Sequence, residues 1–164
     1  MMTWFDPYFP FLALSRSPGS ARPSLQHDLE QIERARITHV ICLQEAFELD
    51  LLDESLESRR QAVESLGIVF THEPIEDFNA PTVVQAKRIL DIIMHHHQLS
   101  QKVLVHCQAG LGRAGTIAAC ALCQQSFDSQ GAIAMVRYIR PGAIQSQAQE
   151  DFVAQFHTLT LKEC

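Results

Sequence analysis

The 164-residue chain is 46% hydrophobic with a formal net charge of −6, which supplies apolar material for one sizeable core and argues against a general nucleic-acid or anionic-membrane binder. Its five cysteines form no even framework, which suits a reducing compartment where thiols stay free. The first residues include an acid, Asp6, and no basic segment leading into an apolar core, and the apolar runs fall far short of a membrane span, so a cytoplasmic protein is expected.

In chain order, residues 9–14 read as a first strand, broken by Pro10 as suits an edge. Residues 15–23 are rich in turn formers and carry Arg16 and Arg22 with no acid nearby in sequence; the stretch is too short to separate two domains. Ser24 then caps a helix in which Leu25, Leu29, Ile32 and Ala35/Ile37 recur at helical spacing. Residues 40–43 predict a second, buried strand, and residues 49–52 and 56–66 read as helical, ending at Gly67. Residues 68–75 predict a third strand. Residues 82–98 predict a long helix with Val83, Ala86, Ile89, Leu90 and Ile93 inward. A short apolar run at 103–105 predicts another buried strand. Further helices are expected to about residue 127, over 129–139, and from about 147 to 161. Alternating strands and helices imply a single α/β domain over residues 1–164, with a mainly parallel twisted sheet flanked by helices. Its functional site is expected at the strands' carboxyl ends.

The segment after residues 103–105 concentrates the chemistry. Cys107 opens a glycine-punctuated loop, Arg113 closes it, and an apolar helix begins at Ile117. Strand, glycine loop and helix in that order aim backbone N–H groups and the positive helix end at one point, which favours a bound anion. The same field and the arginine favour the thiolate of Cys107. The planar fork of Arg113 matches two phosphate oxygens, and Gly110 and Gly112 let the backbone approach the ligand. Nucleophile, oxyanion cradle and fixed cation point to phosphoryl transfer through a cysteine. A departing oxygen then needs a proton donor, and the stretch 74–81 after the third strand offers Glu76 and Asp77.

His106-Cys107-x-x-Gly110-x-Gly112-Arg113 resembles the phosphate-binding signature of the protein tyrosine phosphatase superfamily. The segments 74–81 and 139–149, with Leu12-Ala13-Leu14-Ser15-Arg16 and Val40-Ile41-Cys42-Leu43, extend the resemblance over nearly the whole chain to the small atypical dual-specificity phosphatases. The resemblance implies that Cys107 is the nucleophile and that Gln108, Ala109, Gly110, Leu111, Gly112 and Arg113 hold the phosphate. It implies that Asp77 is the general acid, thirty residues before the cysteine, with Glu76 as the alternative. It implies that Gln145, or failing that Gln149, orients the hydrolytic water, while Ser146 fits a helix cap. His106 would buttress the cysteine by hydrogen bonding. No metal or cofactor is required, because loop amides and Arg113 supply the electrostatics. The implied substrate is a phosphorylated protein or peptide carrying phosphotyrosine, phosphoserine or phosphothreonine, handled by a monomer without nucleic acid or membrane. Gln108, Ala109 and Leu111 are neutral where phosphoinositide-specific relatives place lysines, and Arg16 and Arg22 are candidates for a positive rim. Ala114 departs from the pattern, which carries Ser or Thr there to donate to the cysteine sulfur; Thr116, about 200° further round a helix, is not expected to replace it.

Other residues read as structural. Cys120-x-x-Cys123 lies in an apolar helix with no second pair for zinc and is expected in the core. His95, His96 and His97 diverge by about 100° each and are expected as charges at a helix C-terminus. Cys42 is expected near Cys107, as a core residue or a resolving thiol. The competing functions are a phosphate-binding interaction module with little turnover, and sulfur or arsenate redox chemistry at Cys107.

Overall fold

Side chains alternate along the central strands, and that alternation divides the interior in two. The computed structural model describes residues 2–22 and 24–163. Its strands are β1 (Met2–Phe5), β2 (Phe9–Ser15), β3 (Ile37–Cys42), β4 (Val69–His72) and β5 (Lys102–His106), in the sheet order β1-β2-β5-β3-β4. The helices are α1 (Leu25–Arg34), α2 (Ala46–Asp50), α3 (Leu56–Glu64), α4 (Val83–Gln98), α5 (Gly112–Gln124), α6 (Ser129–Ile139) and α7 (Gln147–Glu163). Leu12, Leu14, Ile41, Val103 and Val105 point to one face, where α4 to α7 cover them. Ala13, Val40, Cys42 and Leu104 point to the other, against α1 and α3. A strand buried on both faces reads as a continuous apolar run, which is why β5 is so compact a signal.

The expected class holds, as one α/β domain with a mixed sheet. β2, β5, β3 and β4 are parallel, and β1 adds an antiparallel edge. That edge strand gave no expectation, because only Phe5 of its four side chains is buried. It moves β2 from the edge, where Pro10 suggested it belonged, to the interior. Pro10 is tolerated because the ladder with β5 begins only at Leu12, paired with Val103.

Two further expectations change. Arg16 has an acid partner in space, with Nη1 2.7 Å from Asp28 Oδ2 on α1. Arg16 and Arg22 line a hollow shared with Met2, Trp4 and His27, not the cleft lined by Asp77 and Gln108. Of the three histidines ending α4, only His95 is exposed. His96 Nε2 lies 2.9 Å from His39 Nδ1 on β3, and its Nδ1 lies 2.7 Å from Gln101 Oε1. His97 packs its ring on Phe9 and Phe11. Cys120 and Cys123 are buried in the helical core, as expected. No helix among the described residues is long and apolar enough to cross a membrane.

Candidate active site

β5 sits centrally between β2 and β3, so the loop leaving it opens at the middle of the sheet's carboxyl edge. Cys107, 3% exposed, begins that loop. The next four carbonyls all turn outward to donors beyond the loop. Gln108 O accepts from Ser17 N at 3.0 Å, and Leu111 O accepts from Ile144 N at 3.2 Å. Arg140 donates to both Ala109 O and Gly110 O. Peptide planes fixed with their carbonyls outward leave their N–H groups facing the interior of the turn. Leu111 caps α5 without a side-chain hydrogen bond, so the first-turn amides of that helix also remain available to an anion. Gly110 makes the turn possible: its φ is +71°, and a Cβ there would stand 2.2 Å from Ser15 O.

Arg113 lies beneath this cradle, 1% exposed. Glu48 on α2 grips it from behind, Oε2 to Nη1 at 2.7 Å and Oε1 to Nη2 at 2.8 Å, and Nη1 also donates to Ile75 O at 2.9 Å. Burial alone would lower its pKa, but Glu48, Cys107 and Asp77 outweigh that and raise it, so the guanidinium stays charged. Its Nε is buried and meets no hydrogen-bond partner among the described residues. A charged donor left open beside a thiol and a ring of inward amides is a seat for an oxyanion.

The loop after β4 closes over this point. Ser146 Oγ donates to Phe78 O at 2.6 Å and Gln149 Nε2 donates to Asn79 O at 3.2 Å. Between these ties and the Arg113–Ile75 bond, Asp77 places Oδ1 3.1 Å from Arg113 Nη2. Glu76 instead accepts from Asn79 on the exposed side. A Cβ at Gly112 would stand 2.9 Å from both Gln145 Oε1 and Gln149 Nε2. Gln145 is exposed, whereas Gln149 is fully buried, its Oε1 accepting from the Gln145 and Ser146 amides. Ser146 also caps α7, accepting from Gln149 N at 3.2 Å. A cleft of about 250 Å³ lies at the site, lined by Phe47, Glu48, Leu51, Asp77 and Gln108.

Three remaining expectations meet the structure here. His106 is wholly buried with its ring against the Cys107 backbone, the buttressing position expected, and neither ring nitrogen reaches full hydrogen-bond geometry among the described residues. Burial first, then Arg59, Arg113 and His72, push its pKa down to about 3 against the Cys107 backbone, which favours the charged ring. Cys42 pairs in register with His106 but belongs to the core on the far face from Cys107, and burial raises its thiol to about 11. That placement argues for a core residue and against a resolving thiol. Thr116 donates its hydroxyl to Gly112 O at 2.8 Å, so it is occupied within α5. Among the described residues no cluster of His, Cys, Asp or Glu is placed to hold a metal.

Glu48 and Arg140 escaped the sequence reading. A buried arginine requires a carboxylate, but nothing local marks Glu48 among the acids, 65 residues before Arg113. Arg140 precedes Pro141 in an ordinary loop, and only the fold brings it behind Gly110.

Residues 6–153 match the family described as PTP-SAK, a Swiss Army Knife protein, DSP-PTPase phosphatase domain. Cyclin-dependent kinase inhibitor 3 of Sus scrofa is 31% identical over 158 residues, covering 91% of this chain and 73% of that protein. Phosphatidylglycerophosphate phosphatase PTPMT2 of Arabidopsis thaliana is 28% identical over 158 residues, covering 95% and 64%. The crystal structure of Tk-PTP in its active form superposes with a TM-score of 0.80 at 31% identity, covering 96% of each chain. With the family's domain matched over most of its length, the chain belongs to the dual-specificity phosphatases of the protein tyrosine phosphatase superfamily and is a protein phosphatase.

Proposed function

We propose that the chain, over residues 1–164, is a monomeric cytoplasmic phosphatase domain that hydrolyses phosphotyrosine and phosphoserine or phosphothreonine in proteins through a cysteinyl phosphate. The observation that carries the reading is the open Nε of buried Arg113, facing the outward-carbonyl loop that begins at Cys107. Cys107 Sγ attacks phosphorus and the bond to the leaving oxygen breaks. The equatorial oxygens rest on Arg113 and on the amides of Gln108, Ala109, Gly110, Leu111 and Gly112. Asp77, held beside Arg113, protonates the leaving oxygen. A water aligned by Gln145 then gives its proton back to Asp77 and attacks phosphorus, the S–P bond breaks, and phosphate leaves with the thiolate restored. The free side chain of Gln145, against the committed one of Gln149, supports the choice between the two glutamines.

A second reading, a lipid phosphate as substrate, is favoured by the similarity to the plant phosphatidylglycerophosphate phosphatase. The test common to both is turnover of a small aryl phosphate by wild type and by Cys107→Ser. Loss of at least about a thousandfold is expected in the variant, with phosphate still protecting it against thermal unfolding. Retained turnover would overturn nucleophilic catalysis; binding without turnover in the wild type would leave an interaction module.

A further inference from the structure

The cleft at the phosphate loop has walls of unlike origin. Gln108 comes from the loop and Asp77 from the segment after β4, while Phe47 on α2 and Leu51 at its end stand four residues apart on one side of a helical turn. Phe47 is 56% exposed and Leu51 78%. Isolated exposed hydrophobic residues need no explanation, but these two line the cavity that holds the proposed acid. The reading of Asp77 as acid, on which this inference rests, fixes what occupies that cavity. A leaving oxygen within reach of Asp77 has its carbon frame in the cleft that Asp77 shares with Phe47 and Leu51.

We propose that Phe47 and Leu51 form a leaving-group wall selecting the phosphotyrosine ring of a polypeptide whose flanking residues are basic. The ring of a phosphotyrosine presents two apolar faces to such a wall. Phosphoserine places one methylene between the oxygen and its backbone, too little to cover either side chain. Charge selects the surroundings. Residues 45–54 contain Glu45, Glu48, Asp50, Asp53 and Glu54 and no basic residue. Glu48 and Glu54 are answered by Arg113 and Arg59, which leaves Glu45, Asp50 and Asp53 outside those pairs, and the exposed Glu76 is the chain neighbour of Asp77. A lysine or arginine beside the phosphotyrosine is attracted by this field, and an anionic lipid surface is repelled.

The experiment compares kcat/KM for phosphotyrosine peptides of one length with basic, neutral and acidic flanks. It adds the phosphoserine counterpart of the basic peptide and phosphatidylglycerophosphate in phosphatidylcholine vesicles. The basic phosphotyrosine peptide should lead the acidic one by about tenfold at low ionic strength, and the gap should close at about 0.5 M salt. Phe47→Ala with Leu51→Ala should cost the phosphotyrosine peptides about tenfold, mainly in KM, and leave the phosphoserine peptide nearly unchanged. Both side chains are exposed, so their truncation spares the fold. Asp50→Asn with Asp53→Asn should reduce the flank preference while sparing the neutral peptide. Equal rates for the phosphotyrosine and phosphoserine peptides, or a wall variant that slows both alike, overturns the inference, as does vesicle lipid as the best substrate. If Cys107→Ser hydrolyses these peptides as well as wild type, the catalytic reading itself fails, and that result is distinct from a loss of selectivity.

Discussion

Arg59 and Arg113 are buried to the same depth, 0% and 1% exposed, and their shells differ in one respect. Every nitrogen of Arg59 has a partner. Nε and Nη2 hold Glu54, Nη2 also holds Pro18 O at 2.7 Å, and Nη1 lies 3.4 Å from Ser17 Oγ. Arg113 has its two terminal nitrogens gripped by Glu48 and its Nε left open. A completed shell spends the cation on holding chain, here the turn after β2 whose Ser17 amide supports Gln108. An incomplete one keeps part of the cation for a ligand. The cost of a buried open donor, about 1–3 kcal/mol, is tolerable where a phosphate repeatedly fills it.

The sharpest way to break this comparison is to exchange the roles. Arg113→Lys keeps the charge that answers Glu48 and loses the fork; it should lower kcat/KM by about a thousandfold at a stability cost of only about 1 kcal/mol. Arg59→Met should do the reverse, costing about 3 kcal/mol by leaving Glu54 without its partner while kcat stays within an order of magnitude. Urea unfolding beside steady-state kinetics on both variants decides it. If Arg59→Met abolishes turnover in a protein that remains folded, the division between structural and catalytic arginine is wrong.

The same contrast explains what the sequence could reveal. Cys107, Arg113 and the glycines between them are legible because their chemistry depends on spacing within one loop. β2, β3 and β5 are legible because burial on both faces writes apolar runs, and the edge strand β4 because its residues alternate, Val69 outward and Phe70 inward. Glu48, Arg140 and the Asp28 partner of Arg16 are not, since each meets its partner only through the fold. β1 is invisible for another reason: an edge strand of four residues with one buried side chain has no periodicity to read. His96 shows the limit of local electrostatics. Its place at a helix C-terminus suggests a solvated charge, and packing against β3 puts it beside His39 instead.

Asp77 lies on the ligand side of Arg113, and its removal tests whether that contact is catalytic or only structural. Asp77→Asn keeps the shape and loses the transferable proton. Turnover of alkyl phosphates, whose leaving oxygen needs protonation, should fall by about a hundredfold, and that of nitrophenyl phosphate much less. An equal loss on both substrates would mean that Asp77 merely positions the arginine, and Glu76→Gln would then be the variant to measure.

Ala114 is the next-smaller effect. It is wholly buried beside the loop, and with Thr116 bonded to Gly112 O neither supplies a hydroxyl to the sulfur. Release of Cys107 from phosphate should therefore be slow relative to its attack, by about tenfold for one missing donor to a charged group. Rapid mixing should show a burst of released alcohol, and Ala114→Ser should raise the steady rate. No burst, with an unchanged rate in the variant, would show that hydrolysis does not depend on that hydroxyl.

The smallest effect concerns stability, on the sheet itself. His39 lies between His96 at 2.9 Å and Thr71 Oγ1 at 2.7 Å. Burial first, and His96 second, lower its pKa to about 4. Folded, it stays neutral until about that pH, while in the unfolded chain an ordinary histidine takes its proton near 6.5. Between these values the unfolded state binds the extra proton, so stability is lost as pH falls through the window and is unaffected above it. His106, lowered to about 3, contributes with the same sign. From pH 7 to pH 6 each should cost about 0.7 kcal/mol, in a range where most carboxylates remain ionised in both states. Urea unfolding of wild type and of His39→Gln at the two pH values isolates one histidine as the difference between their losses. The variant will be less stable at both, because Thr71 and His96 lose a partner, but its loss on acidification should be smaller by that amount. Equal losses would mean that His39 carries its proton inside the fold, with Thr71 Oγ1 or His96 accepting from a charged ring and burial no longer the dominant influence.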